Sequence, residues 1–189
     1  GFETSPILRG AWISKNIVGT PLSPPPESVP ALEPEHGEAK TLKEQIDQHK
    51  SNKTCYACHK SIDGYGFALE SFDATGGWRD QYRVKQAHGG TFQYRPQGYF
   101  KRGAPVDASG EIDDASFQDI FGLKKVLLSN EGKLAYNFGK KFFEYAHGGK
   151  PDLSQRLQLW DFLGKNSGNL RLRTLMTHVL ANSTNAKEK

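Results

Sequence analysis

The stretch Cys55-Tyr56-Ala57-Cys58-His59 decides how this chain reads, because it holds both cysteines of a 189-residue sequence. A C-x-x-C-H run is the attachment signature of a c-type haem. Two thiols one helical turn apart suit the two vinyl groups on one porphyrin edge, and the adjacent imidazole suits an axial position on the iron. The expected cofactor is one haem c, covalent through Cys55 and Cys58, with His59 as the proximal ligand. Two other readings compete. A thioredoxin-like dithiol sits on a βαβ frame, and none is visible around this motif. A zinc site needs a second ligand pair, and His59 adjoins Cys58 where finger spacing would separate them.

Upstream of the motif, Thr41 with Glu44 forms a capping box that opens a helix. Leu42, Ile46 and His49 recur at helical spacing, which places His49 on the inward stripe. Further back lies a proline-rich strap holding six of the ten prolines between Pro21 and Pro34, extended and semi-rigid by composition. Before it, Ser5-Pro6 reads as an N-cap with proline at the first helical position, Ile7, Leu8, Trp12, Ile13 and Ile17 as an apolar stripe, and Gly19 as the stop.

Downstream, Ile62 to Gly66 reads as a turn, with Asp63 capping it, and Phe67 to Asp73 as a short helix closed by Gly76-Gly77. Trp78 to Gly103 is a long glycine-rich, aromatic loop whose strand candidate is Thr91-Phe92-Gln93-Tyr94. The last third is helical. Phe117, Ile120, Phe121 and Leu127 mark one helix; Leu134, Phe138, Phe142 and Tyr145 a second, ended by Gly148-Gly149. Pro151 opens a third through Leu153, Leu157 and Trp160, and Asn169 caps a fourth with Leu172, Leu175, Met176 and Val179 inward. The expected fold is thus mainly α: a cytochrome c-like haem-binding helical domain with a long glycine and aromatic loop and extra C-terminal helices. Its expected parts are an N-terminal helix and strap (1–36), a haem-binding core (37–114), a C-terminal helical part packing on the same domain (115–182) and a polar tail (183–189).

Hydrophobic residues make up 36% of the chain and charged residues 24%, with a net charge of +4. No tract concentrates the lysines and arginines, which argues against nucleic acid as a partner. The mild positive charge suits an acidic redox partner. No apolar run approaches membrane-span length, and no signal peptide is visible. The opening Gly1-Phe2-Glu3 reads as the start of a piece cut from a longer precursor. Covalent haem attachment implies export to a bacterial periplasm or cell surface.

Several runs together resemble a known group. Thr4 to Gly10, the proline stretch, Gln48-His49-Lys50, Cys55 to His59, Ile62-Asp63 and Gly66-Phe67-Ala68-Leu69-Glu70 all fit it, as do Phe72-Asp73-Ala74, Trp78-Arg79 and Asp107-Ala108-Ser109-Gly110. They are similar to the C-terminal part of the large planctomycete-type cytochrome c proteins. The resemblance implies haem c and export, and leaves the physiological reaction open, since those C-terminal modules carry no assigned function. Two stretches depart from it: about Val84 to Arg102 looks like an insertion, and His147-Gly148-Gly149 differs from the usual ending.

The second axial ligand separates the functional readings. His49 is the leading distal candidate, since five residues of extended chain before Cys55 span at most ~17 Å, enough to pass a ring edge. It also matches a histidine of the family pattern. His88, among glycines in the long loop, is an alternative, as is Met176, the sole methionine. His36, His147 and His178 read as surface residues. Trp78 and Arg79 are candidate partners of haem propionates. A strongly held sixth ligand means one-electron transfer with a partner protein or with other modules of a parent chain. A displaceable one means a peroxidase-like enzyme or a gas sensor.

Overall fold

The computed structural model describes residues 4–22, 41–49, 56, 58–85 and 100–182. Among them the chain is mainly helical with two small antiparallel sheets. Two compact units emerge: residues 1–11 with 22–123, and residues 12–21 with 124–189. The division passes through the first helix, α1 (Pro6–Ile13), which runs on as a π-helical turn over Ser14–Val18. The strap beyond Leu22, the Thr91–Tyr94 strand candidate and the 183–189 tail lie outside the described residues.

In the first unit, Ser5 caps α1 as its sequence predicts: the Leu8 amide donates to Ser5 Oγ at 3.3 Å. The buried face differs from the expected apolar stripe. Pro6 and Gly10 are buried, while Leu8 is 71% exposed. The reason is backbone proximity. A Cβ at Gly10 would collide with the carbonyl of Ile62, and one at Gly66 with the carbonyl of Pro6. Only residues without a side chain allow this crossing.

The segment crossed is helix α3 (Asp63–Phe67), preceded in the chain by α2 (Leu42–His49). All five residues of α3 are buried, so the stretch that reads as a turn is a short, enclosed helix. The expected helix from Phe67 to Asp73 is instead a run of turns, stitched by Arg9. Its guanidinium donates to the carbonyls of Leu69, Phe72 and Asp73 at 2.9, 2.7 and 2.8 Å. The capping box at Thr41 is present, with the Thr41 amide 2.7 Å from Glu44 Oε2, and Ile46 is buried.

Among the described residues, two antiparallel strand pairs stand where the sequence reads no strand. β1 (Gln81–Lys85) pairs with β2 (Phe100–Pro105), with an irregularity between Gln81 and Arg83. β3 (Gly110–Ile112) pairs with β4 (Ala115–Phe117). Asp113 and Asp114 connect the second pair with φ of 50° and 64°, the left-handed geometry of a two-residue hairpin turn. Phe117 therefore belongs to a strand, and the following helix, α4, starts at Ile120 and runs to Leu128. Gly64 of α3 rests against β3, where a Cβ would lie 2.9 Å from the Ile112 side chain.

The second unit holds α5 (Glu131–His147), α6 (Leu153–Lys165) and α7 (Leu172–Ala181). Gly148, at φ 70°, ends α5 where the sequence places the stop. Asp152 and Gln155 close a reciprocal capping box on α6. The core is Leu159, Leu163, Leu175 and Val179, flanked by Tyr136, Phe142, Phe143 and Phe162. The expected α6 stripe is off by a rotation of the helix: Leu153, Leu157 and Trp160 are more than half exposed. On α7, Leu175 and Val179 are buried as read, Leu172 is exposed, and Arg171 rather than Asn169 occupies the N-cap. Buried Asn137 joins α5 to the π-turn, donating to the carbonyls of Asn16 and Ile17 at 2.8 and 3.0 Å.

Candidate haem site

The described residues at the end of the motif are helical: the Lys60 amide bonds the Tyr56 carbonyl at 2.9 Å, and the Ile62 amide bonds that of His59 at 3.1 Å. Ser61 anchors the same turn, with Oγ donating to the Cys58 carbonyl at 2.8 Å. Cys58 is half-buried and His59 buried. Cys55 lies outside the described residues.

One turn on, α3 presents its first carboxyl to the histidine. His59 Nδ1 and Asp63 Oδ1 are 2.8 Å apart, with both side chains at or below a tenth exposed. Beside a carboxylate, Nδ1 carries the proton, which selects the tautomer whose Nε2 holds the lone pair. Asp63 therefore serves the histidine and not the turn, as its position before Gly64 had indicated. The neighbouring Tyr65 has its hydroxyl pushed up to about 12, by burial and by the charge of Asp113, so it stays neutral.

His59 and Asp63 border a cavity of about 400 Å³, within the usual range of cofactor sites. Tyr56, Phe67 and Phe117 give it aromatic walls; Lys43 and Lys60 bring positive charge. Lys43 is held in place, its ammonium donating to Asp107 Oδ2, Ser109 O and Ser109 Oγ at 2.7–2.8 Å. Burial opposes charge on Asp107, but hydrogen bonds from Lys43 and Ser109 outweigh it and hold that carboxyl below its ordinary value.

The other sequence-predicted residues are dispersed. Arg79 is committed to a buried network: Nη2 meets Glu70 Oε2 at 3.0 Å and Thr4 Oγ1 at 2.7 Å, and Nε bonds the Glu70 carbonyl. Trp78 is half-exposed, bonds Asp80 through Nε1 and stacks edge-on against Phe72 at 5.3 Å. Neither lines the His59 cavity. His49 ends α2, but its side chain lies outside the described residues, and so do His88 and His36 entirely. Met176 lies on α7 in the second unit. His178 is not a surface residue: it is half-buried, stacked on Phe162 at 3.9 Å, and burial holds its imidazole below the ordinary value. His147 is likewise half-buried, its ring 4.4 Å from that of Phe143.

Sequence reasoning missed the His59–Asp63 pair, although the i, i+4 spacing was its signal. It also missed Lys43 and Phe117, whose approach depends on the fold of the 107–117 segment. Among the described residues no group of three or more His, Cys, Asp or Glu is arranged to hold a bare metal ion. A buried histidine with a fixed tautomer, following a half-buried cysteine and facing a partly aromatic cavity, does fit a haem.

Residues 1–82 match the family model PSCyt3, described as a protein of unknown function (DUF1588). This is a planctomycete-type cytochrome c domain family, and the matched stretch includes the whole C-x-x-C-H run. No curated protein and no solved structure matches the chain. No helix of the described residues is long and apolar enough to cross a membrane.

Proposed function

We propose that the chain is a c-type cytochrome module with one haem bound covalently through Cys55 and Cys58, exchanging single electrons with a partner protein or another module of an exported parent chain. The carrying observation is the buried His59–Asp63 pair that directly follows the second cysteine of the motif. The haem, when bound, supplies the one-electron iron couple. The chain's own residues do the rest. His59 would hold the iron through Nε2, and Asp63 fixes the ring's orientation and tautomer. Buried Phe67 and Phe117 give the cavity a dry apolar wall, with half-exposed Tyr56 at its edge. Lys60, exposed at the rim, supplies positive charge suited to a carboxylate-bearing edge.

A second reading, a distal position open to small ligands, draws on the same pair. An imidazole that donates to a buried carboxylate gains anionic character, and electron-rich axial ligands favour peroxide and oxygen chemistry. Mass spectrometry and visible spectra separate the outcomes. Protein from a host that matures c-type cytochromes should carry one covalent haem, lost in Cys58→Ala. Ferric and ferrous spectra should be low-spin and unchanged by carbon monoxide or imidazole. Protein without a haem adduct overturns the reading; a haem that readily binds carbon monoxide moves it to the second.

A further inference from the structure

Resting on the haem reading above, we infer that Asp63 is a positioning residue that acts through His59 to hold the iron at low potential, biasing the module toward the ferric state. Three observations converge. Asp63 Oδ1 lies 2.8 Å from His59 Nδ1, and its side chain is only 5% exposed. A charge-assisted hydrogen bond in such a place is shorter and stronger than a neutral one, and water does not compete for it.

The backbone that carries the carboxylate is also held in place. Helix α3 is wedged from both sides at its glycines: Gly64 lies against the Glu111 carbonyl and Ile112, and Gly66 against Pro6. Asp63 opens that wedged segment, so its backbone is located by contacts that leave no room for a Cβ. The geometry at His59 is thereby set by the fold around α3 and not by the surface turn a Gly-following aspartate usually makes.

The wall of the cavity adds to the effect. Asp47, Asp63, Glu111 and Asp113 line it against Lys43 and Lys60, four acids to two bases. Ferric iron carries one positive charge more than ferrous iron. An excess of anionic groups, one of them bonded to the ligand itself, stabilises the more positive state and lowers the potential.

The test is spectroelectrochemical titration of the haem-loaded protein, wild type against Asp63→Asn and Asp63→Glu. Asn keeps the size but gives His59 a neutral partner; Glu keeps the charge. The expected result for Asp63→Asn is at least a tenfold shift of the couple toward ferrous, about 59 mV upward for one electron. Asp63→Glu should recover most of it, which a merely structural role would not predict. An Asp63→Asn potential within a quarter of that shift from wild type, with haem attached, overturns the inference while leaving the haem reading intact. Wild-type protein with no haem adduct in mass spectrometry overturns both. Should Asp63→Asn not accumulate, nitrogen-15 NMR of the diamagnetic ferrous wild type decides. A slowly exchanging, strongly deshielded His59 Nδ1–H upholds the inference, and a rapidly exchanging one overturns it.

Discussion

Replacing Gly66 by alanine should loosen the support of the His59–Asp63 pair without touching either residue. The new Cβ would lie closer than 3.0 Å to the backbone of Pro6, and a backbone neighbour cannot rotate aside. Reaching an ordinary contact of ~3.5 Å requires α1 and α3 to part by about 1 Å or more. Arg9 sits on α1 and holds three carbonyls beyond α3 at 2.7–2.9 Å, so the same movement takes those bonds past hydrogen-bonding distance. Overpacking costs about 1–3 kcal/mol, and each weakened bond from a charged donor about 1.5–3 kcal/mol, much of it recovered from water. Alanine returns up to about 1 kcal/mol of helix propensity. The net expectation is a loss of about 2–4 kcal/mol from the first unit. Trp78 reports on that unit, packed against Phe72, so urea unfolding can be followed by its fluorescence in a Trp12→Phe, Trp160→Phe background. Gly10→Ala strains the same crossing against Ile62. Once the helices have parted for one Cβ, the second should cost less, giving a coupling of about 1 kcal/mol or more in the double-mutant cycle. A stabilised Gly66→Ala protein, or costs that add within about 0.5 kcal/mol, would refute the close-crossing account.

Glu70→Gln leaves the nearly buried Arg79 guanidinium facing a neutral partner, and should cost about 3–5 kcal/mol in the same Trp78 assay. Asp107 has a folded-state pKa below its unfolded value, so it stabilises the fold above about pH 4 and loses that contribution as pH falls through the folded value. Lys43→Met should therefore raise the midpoint of acid unfolding seen by circular dichroism. His178 behaves in the opposite chemical sense but with the same sign. Its folded pKa is depressed by burial, so the unfolded chain takes up the proton first, and the second unit should lose stability as pH drops below about 6.5. Melting temperatures of wild type and His178→Gln at neutral and mildly acidic pH should converge if this is so, with the wild type falling further.

The C-x-x-C-H run and several helix caps and stops were legible because they are local. Thr41 and Glu44 close a capping box over three residues, Ser5 caps its own helix, and Gly148 takes the left-handed conformation its neighbours leave to glycine. Such signals carry their physics within one turn of chain. Which face each helix buries was less legible. Apolar periodicity pointed to Leu8 and to Leu153, Leu157 and Trp160, all of them exposed. The buried face of α1 is instead chosen by the absence of side chains at Gly10 and Gly66, a property of two segments meeting across about fifty residues of chain.

The site divides the same way. The C-x-x-C-H spacing of Cys55, Cys58 and His59 is legible in five consecutive residues, and the haem proposal starts from it. The partner of His59 is not legible in that way. Asp63 sits before a glycine, where sequence favours a turn, and becomes the partner of His59 only because α1 and β3 enclose the short helix that carries it. Arg79 shows the converse: a charge close to the motif in sequence is drawn into the buried Glu70 network and away from the cavity. Sequence by itself determined the spacing of the C-x-x-C-H run and several helix caps and stops. Tertiary structure decided which carboxylate meets the imidazole, since desolvation and packing act between segments that no local pattern relates.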